Sequence, residues 1–76
     1  MSDELNKIVA DVFQIDSKKI NKSSSPETID AWDSLAQLSL IISIEQHYKI
    51  TLEIEEIFSI MNVGDIYNIL SKKGVL

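Results

Sequence analysis

Cysteine and arginine are absent from this 76-residue chain; glycine occurs twice, and proline and histidine once each. Without cysteine there is no disulfide, no thiolate nucleophile and no thiolate metal ligand. With a single histidine there is no multi-histidine metal site, so no metal is expected. Long apolar runs are also missing. The longest apolar-rich stretch, Leu35 to Ile44, is far shorter than the roughly 20 residues that cross a bilayer, so membrane insertion is not expected. Met1-Ser2-Asp3-Glu4 has neither a basic n-region nor an apolar h-region, so no signal peptide is expected and the cytoplasm is the expected location.

What is present bounds the chain further. Hydrophobic residues make up 45% and the net charge is −5, with lysine as the only basic type. Acidic domains are repelled by nucleic acid phosphates and anionic lipid, which excludes nucleic acid as a partner and favours proteins with basic patches. A chain this short makes one small domain, residues 1–76, with a modest core. Such a core leaves no bulk for a deep preformed cleft, which points away from a self-contained enzyme. A monomer is expected.

Apolar spacing predicts helices. Leu5, Ile8, Val9, Val12 and Phe13 form one stripe of a first helix, with Ser2 as its cap and Asp3 and Glu4 at its positive end. Asp16 to Trp32 reads as a long connection containing the turn cluster Asn21 to Pro26. Ile15, Ile20, Ile29 and Trp32 are spaced to pin it to the core, and Ser25-Pro26-Glu27 suits a short helical turn. A second helix is predicted from Ser34 to Tyr48 with Asp33 as cap. A short third runs from Leu52 or Glu53 to Ser59 or Ile60, with Ile54, Ile57 and Phe58 as its inward face. A fourth follows the cap Asn62, with Val63, Ile66, Tyr67 and Leu70 inward, Lys72 and Lys73 at its negative end and Gly74 ending it. The brief β-branched alternation at Lys49 to Leu52 has no partner strand. The fold class is therefore all-α: three main helices and one short helix, with a long connection after the first.

The second helix carries two apolar stripes. At about 100° per residue from Ser34, Leu40, Ile41, Ile44 and Tyr48 fall together, and Leu35, Leu38 and Ile42 fall in a separate sector beside Ser34. The first stripe suits the core. The second is either further core or an exposed recognition patch. Asp33-Ser34 before an apolar helix is, by itself, an ordinary capping signal. Its place after a long connection and beside the second stripe makes Ser34 a candidate functional centre.

Trp32-Asp33-Ser34-Leu35 resembles the Asp-Ser-Leu attachment motif of the acyl carrier protein family. The likeness extends over nearly the whole chain: the first helix, the long connection, the second helix ending Ile44 to Tyr48, the acidic third helix and the fourth. The resemblance implies an acyl-carrier-like four-helix bundle of the discrete bacterial type. It implies that a phosphopantetheinyl transferase moves 4′-phosphopantetheine from coenzyme A to the Ser34 hydroxyl, with Asp33 capping the helix and helping the transferase hold Mg²⁺. The arm brings the thiol that the chain lacks and carries acyl or related groups as thioesters to loading and processing enzymes. The domain itself is then a non-catalytic carrier serving fatty acid or polyketide biosynthesis. Expected partner contacts are Leu35, Leu38, Ile42, Glu45, Glu53, Glu55 and Glu56. Relatives in general fatty acid synthesis carry several carboxylates along the second helix. Here, after Asp33, only Glu45 remains, and Ala36 and Ser39 stand where acids are common. That departure points to a dedicated pathway.

Three rivals are weighed against this reading. A serine hydrolase needs a base beside the serine, and His47 lies about 20 Å along the same predicted helix. An aminoacyl or peptidyl carrier has the same fold and differs only in cargo. A helical interaction module would leave Ser34 unmodified.

Overall fold

A computed structural model describes residues 3–76. It contains four α-helices: α1 Asp3–Phe13, α2 Ser34–Tyr48, α3 Ile54–Ser59 and α4 Val63–Lys72. A single 3-10 turn, Ser17–Lys19, sits in the first connection. Among the described residues there is no strand, and Lys49 to Leu52 is an irregular link between α2 and α3. The expected Ser2 cap lies outside the described residues.

The core forms where three apolar stripes meet. Leu5, Val9, Ala10 and Phe13 come from α1, Leu40 and Ile44 from α2, and Val63, Ile66 and Leu70 from α4. All are buried. Burial of such side chains contributes about 1.5–3 kcal/mol each for the larger ones, which is the main force holding three short helices together.

Three helices end in the same way. Gln14, Lys49 and Gly74 take positive φ values of 56°, 57° and 79°. The next amide turns back onto a carbonyl five residues earlier: Ile15 to Ala10, Ile50 to Glu45 and Val75 to Leu70, at 3.0–3.2 Å. This is the Schellman arrangement, and its companion apolar contact is present each time. Ile15, Ile50 and Val75 all pack against the core. Only the last of the three uses glycine.

The long connection is pinned, as its apolar spacing implied. Ile20, Ile29 and Trp32 are buried, and Ile15 is partly so. The Ser25-Pro26-Glu27 segment makes one turn, closed by the Thr28 and Ile29 amides donating to the Ser25 carbonyl, and does not extend into a helix. The connection also grips α4. The Val63 amide donates to the Ser24 carbonyl at 2.9 Å, and the Gly64 amide to the Lys22 carbonyl at 3.0 Å. A Cβ on Gly64 would stand 3.2 Å from that Lys22 oxygen, so the close approach favours glycine. Asn62 accepts from the Asp65 amide at 2.8 Å and completes the α4 cap.

The third helix corrects one expectation. Ile54 and Phe58 do not face inward; they are 66% and 80% exposed. A six-residue helix can turn only one side to the body. The partly buried Ile57, with Ile60 just beyond the helix, takes that side. At about 100° per residue, Ile54 and Phe58 are rotated away from it. No residue of α3 is fully buried.

Polar contacts tie α3 down instead. Glu53 caps it, and the Glu53 amide donates to Glu56 Oε1 at 2.8 Å. Lys73 Nζ lies 3.1 Å from the same oxygen. The Glu53 amide first, and Lys73 second, hold the Glu56 carboxyl below its ordinary range. Because that pKa is lowered, the tether is intact above the usual carboxylate range and is lost as pH falls through the lowered value. At the other end of the link, Glu45 Oε2 accepts from the amide of buried Leu52 at 2.9 Å. Glu45→Ala strands that donor and is expected to cost about 1–2 kcal/mol in urea unfolding. Glu45→Gln keeps an acceptor and should lose much less.

Candidate functional site

Ser34 is the first residue of α2 and is exposed. Asp33, extended at φ −99° and ψ −174°, precedes it and accepts from the Ala36 amide at 2.8 Å. The Gln37 amide donates to the Asp33 carbonyl at 2.9 Å and opens the helical ladder. Among the described residues, the Ser34 and Leu35 amides have no intramolecular hydrogen-bond acceptor. The contrast with α4 is direct, since the first three amides there are taken by Ser24, Lys22 and Asn62. The start of α2 thus presents an exposed hydroxyl, two open donors and the positive end of a four-turn helix. Those are the features that suit a phosphate ester on Ser34 Oγ.

Removing the cap should be measurable without touching the serine. Asp33→Ala is expected to lose about 1 kcal/mol of stability in thermal or urea unfolding. Asp33→Asn retains the side-chain acceptor and should stay within about 0.5 kcal/mol of the parent.

A groove runs from Ser34 between α2 and α3, lined by Pro26, Trp32, Gln37, Leu38, Ile57 and Phe58. Trp32 forms its floor. The indole is 5% exposed, its ring centroid is 5.1 Å from that of Phe13, and its Nε1–H donates to Gln37 Oε1. Phe58 forms the opposite rim. Its part in the groove was not read from the sequence, because its spacing from Ile54 also fits a buried stripe.

The two stripes of α2 separate as apolar periodicity allowed. Leu40, Ile41 and Ile44 are buried, with Tyr48 partly buried against the core. Leu35, Leu38 and Ile42 are exposed, Leu35 to 75%. Of these, Leu38 shares the groove with Ser34 and Asp33. The carboxylates are dispersed. Glu45 lies about 16 Å along α2 from Ser34 and is spent on the Leu52 amide. Glu53 and Glu56 are spent on the α3 cap and Lys73, whereas Glu55 is exposed. His47 sits near the far end of α2, its Nε2 3.3 Å from Glu4 Oε1 and its ring edge-on to Tyr48. Among the described residues no cluster of three or more His, Cys, Asp or Glu is arranged to hold a metal, and no helix is long and apolar enough to cross a membrane.

Comparison with known proteins agrees on the family. The family described as phosphopantetheine attachment site matches residues 3–70. Over 69 residues the chain is 25% identical to polyketide-8 synthase acyl carrier protein 1 of Streptomyces avermitilis, spanning 91% of this chain and 82% of that protein. The structure of holo acyl carrier protein from Geobacter metallireducens superposes with a TM-score of 0.85 at 42% identity, covering 93% of this chain and 82% of the other. A Mycobacterium tuberculosis chain described as an acyl carrier protein shares the fold, with a TM-score of 0.82 at 21% identity and coverage of 92% and 93%. With four helices of matching arrangement and an exposed serine opening the second, this chain belongs to the phosphopantetheine-attachment family of acyl-carrier-type domains, which hold a covalently attached 4′-phosphopantetheine group.

Proposed function

We propose that Ser34 Oγ is the attachment point, and that the chain carries acyl groups for enzymes of a dedicated biosynthetic pathway without catalysing a reaction itself. One observation carries the assignment: within the matched region, Ser34 combines an exposed hydroxyl with a helix start whose first two amides have no intramolecular acceptor. Ser34 would hold the arm covalently, with its own amide and that of Leu35 at the positive end of α2 beside the phosphate. Asp33 keeps that end formed and offers a carboxylate beside the hydroxyl. Attached there, the arm supplies a thiol on which acyl groups ride as thioesters.

Ser23 and Ser25 are poorer candidates, because they sit in the turns of the first connection and no α-helix opens at either. Ser24 is buried, its Oγ accepting from the Asn21 amide. A carrier without catalysis of its own is supported by the match to the phosphopantetheine-attachment family. Acyl cargo in polyketide synthesis is supported by the likeness to the Streptomyces polyketide carrier. The partners in this reading are a phosphopantetheinyl transferase and the enzymes that load and process the acyl group, with a cytoplasmic monomer as the working form.

The test exploits the missing cysteine. Incubated with coenzyme A, Mg²⁺ and a broad-specificity transferase, then freed of small molecules, the protein should react with one equivalent of a thiol reagent. Before treatment it should react with none, since the chain has no cysteine. No thiol after treatment would contradict the assignment.

A further inference from the structure

Residues of the first connection frame a cavity of about 320 Å³ that shares no lining residue with the groove at Ser34. Its apolar wall is Ile29, which is buried, and Ile15, which is partly buried against the core. Its polar wall departs from the rest of the chain. The net charge is −5, yet no carboxylate lines this cavity. The charged residue there is Lys19, which is exposed and makes no ion pair among the described residues. The neutral side chains are set as donors. Asn21 Oδ1 is taken by the Ser23 amide at 2.8 Å, which leaves the Asn21 Nδ2 group to donate. The Thr28 hydroxyl is spent, accepting from the Ser25 amide and donating to the Ser25 carbonyl. Ser24 is only 5% exposed. Its Oγ accepts from the Asn21 amide at 2.9 Å, and its hydroxyl hydrogen has no acceptor among the described residues. A buried donor left without an acceptor is costly, and an anion in the cavity would complete it.

The volume lies at the small end of ordinary ligand sites, and an apolar wall with a few convergent donors is their usual make-up. Lys19, Asn21 and Ser24 together offer an ammonium, an amide N–H and a hydroxyl to an oxyanion. Ile15 and Ile29 offer a surface to a short hydrocarbon chain. We propose that this cavity binds a free short-chain aliphatic carboxylate, with the carboxylate held by Lys19 and the Ser24 hydroxyl and the chain laid along Ile15 and Ile29. Occupation would also brace the segment that grips α4, since the Ser24 and Lys22 carbonyls hold the Val63 and Gly64 amides. A ligand bound only by the folded chain raises its stability in step with concentration. Ser34 takes no part, so the site works with or without a group attached there.

The probe is hexanoate, titrated into the full chain and followed by amide chemical shifts, with thermal unfolding alongside. The amides of Lys19, Ser23, Ser24 and Ile29 should shift saturably, with a Kd of about 1 mM for so small a ligand. Each methylene removed should weaken binding about threefold, so butanoate should bind about tenfold less tightly. Hexanol keeps the chain without the charge and should bind about fivefold or more weakly than hexanoate. Lys19→Gln should lose a similar factor, with circular dichroism unchanged because that side chain is exposed. The unfolding midpoint should rise with hexanoate and not with acetate at the same concentrations. No saturable shift up to about 20 mM hexanoate overturns the proposal. So does equal binding of hexanol, or an unchanged Kd in Lys19→Gln, since either shows that the donors do not read the carboxylate. Shifts centred on Leu38 and Phe58 instead would place the ligand in the groove at Ser34 and overturn the claim of a separate site. Loss of binding once Ser34 is modified would overturn that claim as well.

Discussion

Trp32→Ala is expected to remove about 3–5 kcal/mol of folding stability, the range for deleting a buried indole. Three contacts converge on this side chain. Its ring packs at 33° against Phe13, its Nε1–H is bonded to Gln37, and it is nearly buried at the end of the first connection. The substitution therefore opens a cavity, loses an aromatic pair and loosens the segment that places Asp33 and Ser34. A domain of this size holds only about 5–15 kcal/mol in total, so the variant should unfold at much lower urea and be partly unfolded at moderate temperature. Trp32→Phe separates the contributions. It retains the ring pair and most of the volume, and should lose roughly 1–2 kcal/mol for the missing donor and residual space. A loss in Trp32→Ala below about 0.5 kcal/mol would mean that the indole does not anchor the connection.

How much of this was legible in the sequence depended on the kind of signal. The starts of α2 and α4 were, because Asp33 and Asn62 are side chains whose chemistry acts locally on the amides that follow. The stripes of α1 and α4 were also legible, since burial follows periodicity when a helix has one apolar face. The end of α2 at Tyr48 was also legible, but the way α1 and α2 terminate left no comparable mark. Gln14 and Lys49 adopt the left-handed conformation without glycine, held by the Ile15 and Ile50 side chains packing on the core. That cost is offset by tertiary contacts, which no local pattern reports. The 3-10 turn at Ser17–Lys19 is a similar case, closed by the Asp16 carboxylate on the Lys18 amide.

The site divided in the same way. The place of Ser34 and Asp33 at the start of α2, and a second stripe separate from the first, followed from motif and helical angle; that this stripe is exposed was left open and is decided by packing. The rim of the groove did not, because Ile54, Ile57 and Phe58 are equally apolar and only packing decides which of them turns inward. Nor could the sequence show that Glu45 and Glu56 are occupied by the Leu52 amide and Lys73, for both read as exposed carboxylates expected to contact partners.

Ser34→Ala is expected to leave the fold intact and to abolish modification entirely. The serine side chain is exposed, and the cap is supplied by Asp33, so helix α2 does not depend on the hydroxyl. Alanine is also the better helix former at the first turn, and unfolding should shift by no more than about 0.5 kcal/mol. The chemical effect is all-or-none, because the phosphoester requires an oxygen nucleophile at that position. The direct measurement is intact mass, with circular dichroism alongside, after treating parent and Ser34→Ala proteins with coenzyme A, Mg²⁺ and a broad-specificity transferase. The parent should gain the mass of one phosphopantetheinyl group and the folded variant none. A gain that persists in Ser34→Ala, or a parent that never gains mass, would contradict the assignment of Ser34.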